Sequence, residues 1–385
     1  MLVLKNGHVL DPLNGIDGIF DTAVENDRIR EIGSGIETKA TDNVIDCSGC
    51  YVVPGLIDHH AHVQPLAKIG LPSEALCFAS GVTTVVDAGS TGCTNYIYHM
   101  GILERLRLDI RAYLNVCTTG LDSLPGTLED VNPAHWDRGA IRECFARFGG
   151  PGGRLHGLKL RTSAPIVKDL GYKVLEKTVE LGDEIGVPVM VHCTNPPGPL
   201  SELLEILRPG DTITHMYMNI GPNLVGEDGK VIDAAFKARE RGVLFEASDA
   251  RAHFGLPVAQ AAIAQGFLPD MIATDLTKLS MNLRPTSFSM TMQVSKYTAL
   301  GIPFEKVIAC ATVNPARELG ILDHAGSLTA GHPADVAVLR PVDMETVHGD
   351  RPYGAKEQHT FTGHRIYQAV LTLKSGEMVY RDMTF

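Results

Sequence analysis

The segment GLIDHHAHV, Gly55–Val63, places Asp58, His59, His60 and His62 inside an apolar stretch that follows a VPG turn signal. Imidazoles and carboxylates in such a run can hold a divalent cation, move protons, or sit hydrogen-bonded in a core. The period of a strand sorts them. Side chains alternate faces, so Asp58, His60 and His62 share one face and His59 takes the other. On this reading His60 and His62 chelate one metal, and His59 packs toward a helix layer as a hydrogen-bonded core residue. Asp58 either orients a histidine or is structural. Other apolar runs end in groups of the same kind: Lys159 in HGLKLR, His192 in PVMVHC, His215 in DTITH and Asp275 in MIATD. Isolated charges at buried strand ends are costly. A metal site gives a reason for them, and imidazoles with a carboxylate suit Zn²⁺ and similar borderline cations. Arg161, two residues after Lys159, shares its inward face. It either binds a substrate carboxylate bidentately or pairs with a loop Asp or Glu.

These groups need a frame that gathers distant strand ends. Eight compact apolar runs begin at Leu56, Val82, Arg111, His156, Pro188, Asp211, Gly242 and Met271, at intervals of 23 to 45 residues. Each interval accommodates a strand, a crossover helix and two loops. Stretches such as DLGYKVLEKTVELGDEIG fill the gaps with apolar residues at helical spacing. The pattern predicts an α/β fold, a (β/α)8 TIM barrel over residues 55–324, with its active site at the C-terminal strand ends. Residues 1–54 and 325–385 alternate apolar and polar residues between turn signals, which predicts a small β-sandwich domain built from both termini.

The chain has 385 residues, 44% apolar and 21% charged, an ordinary globular composition. A net charge of −11 without any Lys/Arg-rich run argues against nucleic acid or an anionic membrane as partner. No stretch of about 18 apolar residues and no leader pattern is present, so a cytoplasmic protein without a membrane span is expected. The eight cysteines read as reduced, buried thiols. Cys47 and Cys50 form a lone C-x-x-C, read as a turn between strands in preference to a zinc knuckle or redox pair.

YVVPGLIDHHAHV, TVNPARELGI and GSLTAGHPADVAVL, with H-x-H, Lys, His, His and Asp in that order, resemble the amidohydrolase superfamily of metal-dependent hydrolases over nearly the whole chain. The resemblance implies two divalent metal ions, Zn²⁺ in the first instance. His60, His62 and Asp275 would hold the more buried one, and His192 and His215 the second. Lys159 would be carboxylated on its amine and bridge both; a solvent-facing or substrate-binding lysine is the alternative. The implied reaction is hydrolysis, with Asp275 accepting the proton of a metal-activated water and returning one to the leaving group. GLKLR and DAGSTG are similar to the deacetylase and D-aminoacylase-like branch, often labelled dihydroorotase-like. That branch implies amide or ester cleavage in a small N-acetyl or O-acetyl carboxylate. A cyclic amidase of dihydroorotase or hydantoinase type is the alternative, weakened because Gln64 stands where a dihydroorotase carries Arg. FEASDARAHF departs from the D-x-G-H-G-like segment of relatives, leaving Asp249, Arg251 and His253 as candidates to border the pocket. Tyr217 could supply a hydroxyl, and DAGSTGCTN could offer backbone N–H groups to an anion or simply turn. Barrels of this kind suggest a homo-oligomer.

Overall fold

The computed structural model describes residues 1–123, 129–250, 252–281, 288–350 and 357–385. The alternating N-terminal segments form β1 (Leu2–Asp11), β2 (Ile16–Glu25), β3 (Arg28–Gly33), β4 (Asn43–Asp46) and β5 (Tyr51–Pro54). Between β4 and β5 the Cys50 N–H donates to the Cys47 carbonyl at 2.9 Å, so the C-x-x-C is a turn, and both thiols are free and buried.

A single residue, Gly55, separates β5 from the first of eight parallel strands. These are β6 (Leu56–Ala61), β7 (Val82–Ala88), β8 (Asp109–Asn115), β9 (Leu155–Arg161), β10 (Val189–His192), β11 (Thr212–Thr214), β12 (Leu244–Ser248) and β13 (Met271–Ala273), hydrogen-bonded in that order. The ring closes between β13 and β6. The Asp275 N–H donates to the His60 carbonyl at 2.6 Å, and the His62 N–H donates to the Leu276 carbonyl at 2.9 Å. Both faces of these strands are covered, and β6, β7 and β10 are buried along their whole length. The helix Lys173–Ile185 shows how the outer layer is built. It buries Val174, Leu175, Thr178 and Leu181 at helical spacing and ends on Gly186 in the left-handed conformation. At the N-terminal mouth, Ile57, Val86, Tyr113 and Met190 pack on Ala316, Leu319 and Ile321, so the helix Val313–Glu318 and the turn after it plug the lumen.

The chain then returns to the first sheet through β14 (Val336–Gly349), β15 (Thr360–Lys374) and β16 (Glu377–Arg381). Among the described residues the strand order is β16-β15-β14-β5-β1-β2-β3, with β4 also on β1. The antiparallel register of β14 on β5 sets Val338 against Val52, and Val9, Val52, Val338 and Leu371 share a separate apolar core. The expected pair of modules is therefore present: a barrel, and a β-sandwich-like unit wrapped from both ends of the chain. No helix of the described residues is long and apolar enough to cross a membrane.

Candidate metal centre

The end of β6 breaks strict alternation. Its pairing with β7 shifts register between Asp58 and Ala61, a bulge that inserts an extra residue and re-aims the side chains after it. As a result the neighbours His59 and His60 both reach one carboxylate inside the barrel. His59 Nδ1 bonds Glu246 Oε2 at 2.5 Å, and His60 Nδ1 bonds Glu246 Oε1 at 2.7 Å. Asp58 instead accepts from the Thr274 hydroxyl at 2.6 Å and the Thr274 N–H at 3.0 Å. Two expectations are corrected: His59 faces the lumen and not the helix layer, and Asp58 does not share the face of His60. Of its two readings Asp58 has the structural one, through Thr274. His59 remains a hydrogen-bonded core residue, with Nε2 on Glu318 Oε2 at 2.8 Å. Burial alone would depress its imidazolium, but the carboxylates of Glu318 and Glu246 outweigh that and push its pKa up to about 10. Glu318 also takes the Tyr113 hydroxyl at 2.5 Å and His156 Nε2 at 2.9 Å.

His62 is fixed from the other side. Its Nδ1 lies 2.9 Å from Ser90 Oγ, whose hydroxyl donates to Asp87 at 2.7 Å. Asp87 also accepts the N–H groups of Val63 and Gln64. The DAGSTG segment thus braces an imidazole. The Nε2 atoms of His62 and His60 lie 3.2 and 3.6 Å from Asp275 Oδ1, so His60, His62 and Asp275 form one cluster of potential ligands. Burial would raise the Asp275 carboxyl, but the His62 hydrogen bond and the imidazoles of His215 and His253 hold it well below the usual carboxylate range.

Lys159, on β9, is buried, with Nζ 3.3 Å from His60 Nε2. Burial pulls its pKa down to about 8, against the opposing influence of Glu246 and Asp275. Its stem runs beside Gly89 at φ +85°, where a Cβ would come within 2.7 Å of Lys159 Cγ.

A second cluster joins His192, His215 and His253. His215 and Asp275 follow their strands with φ of 60° and 50°. Side chains other than Gly rarely adopt this left-handed region, and such strain concentrates at functional sites. Both clusters, Lys159 and Arg161 line one cavity of about 120 Å³. Arg161 Nη1 sits 3.2 Å from Glu129 Oε2, so it has the loop-Glu partner that was one of its two readings, and it also forms part of the cavity wall. Asn115 holds the other Glu129 oxygen at 2.7 Å.

Other candidates fall elsewhere. The Tyr217 hydroxyl donates to the Phe267 carbonyl at 3.2 Å, away from the cavity. Asp249 is buried against Lys296 and Tyr297. Gln64 is buried outside the cavity lining, and Arg251 lies outside the described residues. The residues missed from sequence are Glu246, Glu318, Ser90 and Asp87, which act through partners remote in the chain or across a turn.

The donor set fits divalent cations. His215 Nε2 is buried with no hydrogen-bond partner among the described residues, which is costly unless a ligand completes it. His60, His62 and His215 each have Nδ1 held by an oxygen, the usual device for orienting a metal-binding imidazole.

The sequence matches the amidohydrolase family over residues 51–364. A deacetylase of Agrobacterium fabrum is 35% identical over 325 residues, covering 83% of this chain and 77% of the relative. A dihydroorotase of Aquifex aeolicus is 25% identical over 99% of both chains. A dihydroorotase crystal structure superposes with a TM-score of 0.88 at 28% identity, covering 99% of this chain and 100% of the other. By this family match and these likenesses in sequence and fold, the protein belongs to the amidohydrolase family, as a barrel hydrolase acting on amide bonds.

Proposed function

We propose that the protein is a binuclear, zinc-dependent deacetylase that hydrolyses the amide or ester bond of a small N-acyl or O-acyl carboxylate. The observation that carries this reading is the convergence of two ligand clusters, with Lys159 between them, on one cavity. His60, His62 and Asp275 would hold one cation, and His192 and His215 the other. Lys159, carboxylated on Nζ, would bridge them: an ammonium buried between two dications is untenable, whereas a carbamate is an anionic ligand. Bound cations would supply Lewis-acid polarisation of the scissile carbonyl and lower the pKa of water to near neutrality. Asp275, within reach of His60 and His62, takes up the proton of the attacking water and returns it to the leaving group. Arg161, at the wall and steadied by Glu129, binds the substrate carboxylate and orients the acyl group. In domain terms, residues 55–324 form the catalytic barrel, and residues 1–54 and 325–385 form the sandwich.

The full-length dihydroorotase likeness favours a second reading, a cyclic amidase. Against it, Gln64 supplies no guanidinium where a dihydroorotase has Arg. The test is a panel of N-acetyl D- and L-amino acids and O-acetyl hydroxy acids beside hydantoin and dihydroorotate, assayed on zinc-loaded protein. Turnover of the linear substrates is expected. Turnover of the rings alone would replace the deacetylase reading, and full activity in protein shown to hold no divalent metal would end the binuclear one.

A further inference from the structure

We infer that His253 is a third imidazole ligand of the second cation site, beside His192 and His215. The inference rests on the two-cation reading above and goes beyond it in the ligand set.

The three imidazoles are mutually packed, with ring centroids 4.5 Å apart for His192 and His215, 4.3 Å for His215 and His253, and 4.9 Å for His192 and His253. One ligand nitrogen from each falls within 4.8 Å of the other two. One nitrogen of each ring is tied to an oxygen, and two of these bonds define the tautomer. His215 Nδ1 meets the Ser248 carbonyl at 2.7 Å; a carbonyl only accepts, so Nδ1 carries the hydrogen and the buried Nε2 the lone pair. The Ser163 hydroxyl donates to the Thr194 carbonyl at 2.7 Å, so its oxygen accepts from His192 Nε2 at 3.1 Å, and His192 Nδ1 carries the lone pair. His253 Nδ1 bonds the Thr194 hydroxyl at 2.8 Å, which turns Nε2 to within 3.7 Å of Asp275 Oδ2.

His253 does not stand on a barrel strand, so something else must hold it. Its N–H donates to the Asp249 carbonyl at 3.1 Å, and the Asp249 carboxylate is buried against Lys296 and the Tyr297 hydroxyl. Two residues on, the Gly255 N–H donates to the Tyr217 carbonyl at 2.8 Å, and any Cβ at Gly255 would lie 2.4 Å from Asn219 Cβ. The loop is pinned on both sides of the imidazole, as a ligand requires. Imidazole nitrogens suit Zn²⁺, and a carboxylated Lys159 would add the anionic ligand that links the two sites.

The test uses the intact metal-free protein, titrated with Zn²⁺ against a competing chelator, and with Co²⁺ followed by its visible absorption. Wild type is expected to take up two equivalents. His253→Ala should weaken one of them at least tenfold, alter its Co²⁺ bands, and leave the other equivalent unchanged. Thr194→Val, which removes the hydroxyl that holds His253 Nδ1, should weaken the same equivalent. Unchanged affinity and spectrum in His253→Ala would overturn the assignment. So would unchanged affinity and spectrum in Thr194→Val, which also covers the case of a His253 variant that does not fold. A wild-type protein that takes up no divalent cation would overturn the two-cation reading together with this one. Two equivalents in wild type with an unaltered His253 variant would remove only this one.

Discussion

Gly89→Ala tests whether the position of Lys159 matters to the chemistry. Gly89 follows β7 at φ +85°, and an added Cβ would lie 2.7 Å from Lys159 Cγ and 2.8 Å from Lys159 Cβ. Those atoms are the root of the side chain, fixed to β9, so a flexible tip cannot absorb the overlap. Restoring an ordinary contact of 3.4 Å pushes the lysine stem away by about 0.7 Å. Misplacing reacting groups by about 1 Å costs on the order of 100-fold in rate. We therefore expect kcat/KM to fall roughly 10- to 100-fold on the best acyl substrate. The left-handed backbone adds a further ~1–2 kcal/mol of instability for a residue with a Cβ, seen as a melting temperature lower by a few degrees. Gly152→Ala is the control: it shares the left-handed backbone at φ +76° but would meet nothing within 4 Å. It should lose comparable stability and keep full activity. If Gly89→Ala retained kcat/KM within about twofold, or if Gly152→Ala lost as much activity, the link between Lys159 placement and rate would be refuted.

Asp275→Asn should lower kcat by about 10²- to 10⁴-fold, the range for loss of a general acid–base group; near wild-type turnover would remove it from that role. Arg161→Met removes a charge-assisted bond of ~1.5–3 kcal/mol. Substrates with a carboxylate should lose roughly 10- to 150-fold in kcat/KM, while neutral amide analogues change little. Equal losses on both would mean that Arg161 merely braces Glu129. Glu246→Ala strips His59 and His60 of a shared buried carboxylate. Breaking such a pair costs ~3–5 kcal/mol, readable as a lower urea midpoint, and an unshifted midpoint would contradict the pairing.

The barrel was legible because parallel strands buried on both faces leave continuous apolar runs, and because His60, Lys159, His192, His215 and Asp275 punctuate those runs at their ends. The finer arrangement was not. Asp58-His59-His60 reads as plain alternation, and only the β7 pairing reveals the bulge that turns His59 inward. Glu246 sits in a strand that any buried polar residue could occupy, and its importance comes from β6, far away in the chain. The loop holding His253 has no period to read, and its anchor, Lys296, looks like any helical lysine until its burial is known. Arg161 lines the cavity, and the Glu129 that holds it was not legible because it comes from a segment without regular structure.

The sheet made from both termini has a consequence in time. During synthesis β1 to β5 emerge first, and one edge of β5 waits for β14, which is encoded almost at the other end of the chain. At about 5–20 residues per second, the stretch from Pro54 to Val336 takes roughly 15–55 s to appear. For that interval β5 presents an unpaired apolar edge, the kind that recruits chaperones or neighbouring strands. Gly55 alone joins that waiting edge to the strand carrying His60 and His62. On the ribosome, then, the first ligands of the centre are made next to a seam that stays open until β14 appears.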